Sequence, residues 1–415
     1  MADYDAFLLV SFGGPEGRDD VMPFLQNVTR GRGIPPERLE AVAEHYDAVG
    51  GVSPINQQCR DLIAAIGKDF AAAGVDLPVY WGNRNWDPYL TGTVAEMAAA
   101  GVRRALAFVT SAYGSYSGCR QYLDDIGRAR AEVGPGAPQI DKIRHFFTHP
   151  GFIEPFADAT RRAIGSLPPG ARQGVPLVFT AHSVPEAMAA ASGPPPGGRY
   201  PAQLAEAARL IAERVNRAAD PAGETPAGET PAGETPAGET PAGETPAGET
   251  PAGETPAGET PAGETPAGET PAGETSAGVL QGGAHPWRLV YQSRSMPPSQ
   301  PWLGPDVRDY LQELARDGAP GAVLVPVGFI SDHMEVVYDL DVEAAEAARR
   351  LGLPLARAAT PGTDPRFVSM ITALVRERLD SRLPPAALGS PGCGSADCCR
   401  PPAPAGRPGR PAAAS

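Results

Sequence analysis

Apolar positions fall in two rhythms along this chain. Short unbroken runs, rich in Val, Leu, Phe and Ala, stand at Phe7–Ser11, Val79–Gly82, Arg104–Thr110, Lys142–Phe147, Leu177–Ala181, Arg288–Gln292, Ala322–Gly328 and Pro354–Ala358. Between them apolar residues recur every three or four positions, as in Cys59–Ala73, Thr91–Ala100, Tyr122–Val133 and Phe152–Ser166. In Leu204–Ala218 the residues Leu204, Ala207, Ala208, Ile211 and Val215 share one helical face. Unbroken runs of strand length predict strands covered on both faces, and the longer period predicts amphipathic helices. Their alternation predicts an α/β fold with parallel sheets flanked by helices. Eight strands suit two similar doubly wound halves. The break falls where Leu167 to Gly174 reads as a linker, giving an N-terminal domain 1–166 and a C-terminal domain 174–383.

Two segments have neither rhythm. Residues 221–275 are eleven perfect copies of Pro-Ala-Gly-Glu-Thr, without an aromatic or branched aliphatic residue. Ordering them would cost about 1–2 kcal/mol per residue with no apolar burial to offset it. The array is expected to be a disordered insertion in a surface connection between a helix and a strand, where added length costs little closure entropy. The tail 384–415 carries eight prolines and three cysteines and is expected to be irregular.

The array also explains the composition. The chain has 415 residues and a net charge of −14, with 49 Gly and 48 Pro. Eleven of the Glu, and no cation, lie in the repeats, so the remaining 360 residues carry only −3. That body is large enough for two domains. Nothing supplies the cationic field that a broadly basic nucleic-acid binder requires. The N-terminus lacks a basic region followed by a cleavage site, and no apolar stretch reaches the roughly 18 residues needed to span a bilayer. The five cysteines, 59, 119, 393, 398 and 399, are an odd number, which argues against a secreted disulfide framework. A cytoplasmic location and a monomer acting on a small molecule are expected.

Ligands of open parallel sheets bind beyond the carboxyl ends of the strands. Those ends carry Ser11 to Pro15, Gly82 to Trp86, Thr110 to Tyr116, Thr180 to Ser183, Gln292 to Arg294 and Gly328 to Glu335. They hold an unusual share of the His, Arg and Tyr, which points to a cleft between the halves. None has the spacing of a dinucleotide fingerprint, a phosphate loop or a nucleophile elbow. Glu335, Asp339 and Glu343, at i, i+4 and i+8, form one stripe on a helix, with Asp332 a turn earlier and Val336, Val337, Leu340 and Ala344 on another face. Two readings are open. A line of like charges facing a cleft suits a cation, with His333 or His182 adding nitrogen. Alternatively Glu335 closes a capping box on Asp332 and the rest are solvated. His182, at the end of a buried strand, is either a satisfied structural residue or a base or metal ligand. Arg30 and Arg32, in a Gly-rich turn, are either surface residues or a clamp for carboxylates.

Together these segments resemble the ferrochelatase family. The strongest matches are Phe179-Thr180-Ala181-His182-Ser183-Val184-Pro185 and Gly328-Phe329-Ile330-Ser331-Asp332-His333-Met334-Glu335. Gln292-Ser293-Arg294 with Pro301-Trp302-Leu303-Gly304-Pro305, then Gly50-Gly51-Val52-Ser53-Pro54-Ile55 and the opening Leu8 to Glu16, add to them. The similarity runs from about residue 5 to 383, interrupted by the array, and its wording is that of the soluble actinobacterial branch. The resemblance implies two similar domains, each with a four-stranded parallel sheet, and insertion of Fe2+ into a porphyrin held between them. The usual substrate in that branch is coproporphyrin III. Membrane-associated relatives use protoporphyrin IX and carry a hydrophobic lip, but here the stretch 22–36 is short and holds Arg30 and Arg32, which favours a substrate with four propionates. By the same resemblance His182 faces the macrocycle centre as iron ligand and proton acceptor. Glu335 approaches from the opposite side as the second iron ligand or base, and Asp339 and Glu343 continue a relay. Ser53 and Tyr122 contact the porphyrin, and Arg30, Arg32 and Tyr46 its propionates.

Two departures stand out. Phe12 occupies a position where many bacterial members have a Tyr that ligates product iron, and Phe cannot. The tail Cys393, Cys398 and Cys399 resembles the cluster-binding tail of some members, and with Cys119 it implies four thiolates for a [2Fe–2S] cluster, with zinc or free thiols as the other readings. Cys59 is expected to be structural. The competing functions are a protoporphyrin IX ferrochelatase, a cobalt or nickel chelatase for another tetrapyrrole, and a non-catalytic tetrapyrrole or iron carrier.

Overall fold

The computed structural model describes residues 4–31, 33–219, 285–294, 301–380 and 398–399. The repeat array, Arg32, Cys393 and the tail apart from Cys398 and Cys399 lie outside the described residues.

Eight strands form two four-stranded parallel sheets. The first contains β1 (Ala6–Ser11), β2 (Val79–Asn83), β3 (Arg104–Val109) and β4 (Gln139–Lys142), in the order β2-β1-β3-β4. The second contains β5 (Leu177–His182), β6 (Trp287–Gln292), β7 (Ala322–Val325) and β8 (Leu355–Arg357), in the equivalent order β6-β5-β7-β8. β1 and β5 are central and bury every residue except His182, whose position at the strand end keeps it partly open. Helices connect successive strands, as the alternation predicts. Ile55–Ala73 buries Ile55, Cys59, Leu62, Ile66 and Phe70 against the first sheet, a three-to-four spacing on one face.

A continuous core spans both sheets, from Phe7 and Phe108 to Phe179 and Val323, and includes Phe152 and Phe367 from covering helices. Tyr113 ties the halves by donating to the Val327 carbonyl at 2.8 Å, and Arg144 grips Glu377 through two bonds of 2.8 Å.

The fourth strand is a correction. The run Lys142–Phe147 predicts a strand, yet β4 lies at Gln139–Lys142, in register with Arg104 to Ala107. Ile143 and Phe146 leave the sheet and pack between layers, with Phe146 stacked on Phe108 at 4.9 Å. Their apolar character reflects core filling rather than strand pairing. β7 likewise stops three residues short of Gly328, because Pro326 has no N–H to give the ladder.

The helix Arg199–Ala219 and β6, an edge strand, flank the array in the sequence. Its neck is clasped: the Asn216 side chain accepts from the His285 N–H at 2.7 Å and donates to the His285 carbonyl at 3.2 Å.

Candidate functional site

His182 and Glu335 meet where β5 ends and the loop after β7 turns into helix. The imidazole Nε2 lies 3.2 Å from Glu335 Oε1, and Nδ1 bonds the Ser183 carbonyl. Both ring nitrogens face acceptor oxygens, an arrangement that favours the imidazolium. Burial opposes that charge, but the Glu335 carboxylate, its hydrogen bond, the Ser183 carbonyl and Asp339 outweigh it and lift His182 to about 9. Glu335 is held down to about 2: burial works against its charge, and His182 and then His333 more than reverse this. Protein surrounds both groups, yet Glu335 keeps 43% of its side-chain surface open, so the pair sits in a recess that water enters.

The backbone holds Glu335 deliberately. His333 caps the turn Met334–Val336, its Nδ1 accepting the Glu335 N–H at 3.1 Å, while Gln292 donates to the Glu335 carbonyl. The capping partner is thus His333 and not Asp332, because the chain enters the turn one residue later than the capping-box spacing assumes. Asp332 also leaves the carboxylate line. It pairs with Arg357 at 3.1 Å and accepts from Thr360 at 3.0 Å, behind the turn.

From Val337 to Ala344 the chain winds as a π-helix, a form that recurs at functional sites. This was not legible in the i, i+4 spacing, which is read on α geometry. Asp339 accepts from Ser293, a residue in the left-handed backbone region at φ 62°. Burial raises Asp339 most; the Ser293 bond lowers it, Glu335 and Glu343 push it back up, His182 lowers it again, and the net position is about 7. Glu343, further out, lies 3.4 Å from Arg308.

The remaining candidate residues lie in the first half, and Tyr46 among them approaches Glu335 and Asp339. Tyr46 is buried with Val21, Phe24, Leu25 and Met334, and burial followed by the charges of Glu335 and Asp339 raises its hydroxyl. Ser53 is buried against Gly14, where a Cβ would come within 2.7 Å of its own, so that close approach requires glycine. The Tyr122 hydroxyl lies 3.4 Å from Thr110 Oγ1. Arg30 is exposed on the turn after the helix Arg18–Val28. Phe12 meets Phe24 edge-on at 6.3 Å.

One residue beside these candidates escaped the sequence reading. Arg84, just beyond β2, keeps only 6% of its side chain exposed and pairs with Asp125. Its guanidinium covers the Tyr122 ring at 4.5 Å and the Phe12 ring at 5.7 Å. Its place beyond a strand's carboxyl end was the available signal.

Cys119, in the turn Tyr116–Arg120, packs with Cys398 and Cys399 as a buried group. Cys399 Sγ accepts the Gly193 N–H at 3.1 Å and lies 3.7 Å from Cys398 Sγ. Hydrogen bonding from Cys119 lowers the Cys399 thiol, against burial. Cys59 is buried in Ile55–Ala73, and burial raises it to about 11. Among the described residues no three His, Cys, Asp or Glu side chains form a ready-made metal site, and no helix is long and apolar enough to cross a membrane.

Two like-ordered parallel sheets, with a histidine–carboxylate pair and further carboxylates beyond the strand ends of the second, define an α/β protein whose candidate site carries acid–base groups. The family model described as Ferrochelatase matches residues 4–223 and 272–379, leaving out most of the array. Coproporphyrin III ferrochelatase of Streptomyces coelicolor is 46% identical over 99% of this chain and 96% of its own length. Coproporphyrin III ferrochelatase of Frankia alni is 48% identical over 96% and 87%, and Ferrochelatase of Rhodopirellula baltica 45% over 98% and 98%. The chain belongs to the ferrochelatase family.

Proposed function

We propose that this protein inserts Fe2+ into coproporphyrin III to form coproheme, with release of two protons. The observation that carries the reading is the His182–Glu335 pair at 3.2 Å with Asp339 and Glu343 behind it. His182 serves as the proton acceptor at the macrocycle and Glu335 as the iron ligand; in direct contact at 3.2 Å the two stand on the same face of the porphyrin, which corrects the expectation that they approach from opposite sides. In the resting pair His182 is protonated. A divalent ion arriving at Glu335 takes over the carboxylate's charge and removes the support for the imidazolium, which gives its proton to solvent at the open side of the pair and becomes the neutral base. Asp339, held near 7, exchanges protons readily at neutral pH and suits a relay. Ser53, Tyr122 and Tyr46 line the porphyrin's side, and Arg30 and Arg32 receive propionates. The reaction is of the lyase type, in a cytoplasmic monomer.

We read Cys119, Cys393, Cys398 and Cys399 as ligands of a [2Fe–2S] cluster. What supports this reading is the packing of the three described thiols into one buried group, with a backbone N–H aimed at one sulfur.

The test is an anaerobic absorbance assay with Fe2+ and either coproporphyrin III or protoporphyrin IX. Loss of the free-base spectrum is expected to be faster with coproporphyrin III and abolished in His182→Ala. Preference for protoporphyrin IX would overturn the substrate, and normal turnover of His182→Ala would overturn the mechanism.

A further inference from the structure

We propose that Arg357 is a positioning residue for iron insertion: it clamps both ends of the segment that carries Glu335 and Asp339. This rests on the function proposed above and adds to it a residue outside the cleft.

Arg357 closes β8, at the far edge of the second sheet. Its guanidinium reaches two carboxylates at once. Nε and Nη2 donate to Asp341 at 2.6 and 3.0 Å, and Nη2 and Nη1 donate to Asp332 at 3.1 and 3.4 Å. Asp332 immediately precedes the cap His333, and Asp341 lies inside the π-helical stretch. Glu335 and Asp339 lie between those two anchors. Asp332 is itself fixed, with its N–H donating to Gln58 at 2.8 Å and Thr360 donating to its carboxylate.

Such a clamp has something to do here. Val336, Leu340 and Ala344 bury the inner face of the segment, but apolar contact is non-directional and tolerates sliding. Packing beside the clamp is also open, with a recess of about 330 Å³ against Leu340, Asp341 and Arg357 and another of about 450 Å³ against Asp332 and Thr360. A planar guanidinium bonded to both ends sets the register and winding between them, and a lysine ammonium cannot span the same atoms. The carboxylates in the cleft are thereby aimed from behind.

The experiment compares wild type, Arg357→Met, Arg357→Lys, Asp341→Asn and the Arg357→Met/Asp341→Asn double variant. Initial rates are measured with Fe2+ and porphyrin varied separately, well below each variant's melting temperature. Arg357→Met is expected to lower kcat and raise the KM for iron by about tenfold together in kcat/KM, as for loss of groups that orient metal ligands. The porphyrin KM should hold within about twofold, Lys should not rescue, and the double variant should be no worse than Arg357→Met, since both substitutions break one unit. Hydrogen exchange should quicken at 335–344 and not elsewhere. Wild-type iron kinetics in folded Arg357→Met and Asp341→Asn, rescue by Lys, or a parallel rise in porphyrin KM would overturn the proposal. If wild type itself fails to metallate either porphyrin, the function fails, and hydrogen exchange alone then decides the clamp: unchanged exchange at 335–344 rejects it.

Discussion

Replacing Glu335 by Gln removes one charge and keeps the shape, so it measures how strongly that carboxylate governs His182. In wild type His182 is lifted from 6.5 to about 9 despite burial. At about 1.4 kcal/mol per tenfold, that is roughly 3 kcal/mol of preference for the charged ring. Water reaches the open side of Glu335, so the pair's share in folding stability is smaller, about 1–2 kcal/mol. The sign follows from the two protonation states. Because the folded value lies above the ordinary one, His182 stabilises the fold fully below pH 6.5 and loses that contribution as pH rises through 9. Glu335 is depressed from 4.5 to about 2, so its contribution is present above pH 4.5 and lost as pH falls through 2. Histidine-selective NMR of the porphyrin-free protein should show His182 titrating near 9. In Glu335→Gln the midpoint should fall towards 6.5, and denaturant unfolding should lose its decline between pH 6.5 and 9. An unmoved His182 midpoint in that variant would refute the coupling and, with it, the idea that iron frees the base by occupying Glu335.

Three further outcomes are expected. Deleting residues 221–275 should leave kcat and melting temperature nearly unchanged, whereas Asn216→Ala, which opens the neck, should cost about 1 kcal/mol in urea denaturation through its lost hydrogen bonds. Arg84→Met should raise the porphyrin KM more than the iron KM in steady-state assays, because the guanidinium braces the Tyr122 and Phe12 rings. If the proposed cluster is bound, anaerobically purified protein should show charge-transfer bands in the visible spectrum that vanish in Cys119→Ser, the proposed ligand from outside the tail.

The architecture was legible because burial on both faces leaves unbroken apolar runs, and β1, β3 and β5 announce themselves that way. β4 was not, since three of its four residues, Gln139, Asp141 and Lys142, are polar and the strand holds an edge position, while the apolar run beside it fills the core. His182 and Glu335 could be picked out as strand-end chemistry, but their contact joins residues 153 positions apart and only the fold supplies it. Asp332 misled because a helical wheel shows angle and not partner; Arg357, sitting on another strand, decides where its carboxylate goes. The π-winding from Val337 has no signature in spacing, as the same residues fit an α-helix equally well.

The shared strand order gives every position in one half a topological twin in the other. His182 ends β5, and its twin at the end of β1 is Ser11, a sealed hydroxyl beside the Cys59 thiol. A frame repeated twice thus offers two equivalent crevice floors, and the chain arms only one with a titratable group. On the proposed function, the silent copy is free to be a rigid seat for the macrocycle, through Ser53 and Tyr122, while the armed copy delivers iron and removes protons. Division of labour between twins is what lets a nearly symmetrical scaffold approach a flat, symmetrical substrate with different chemistry on its two faces.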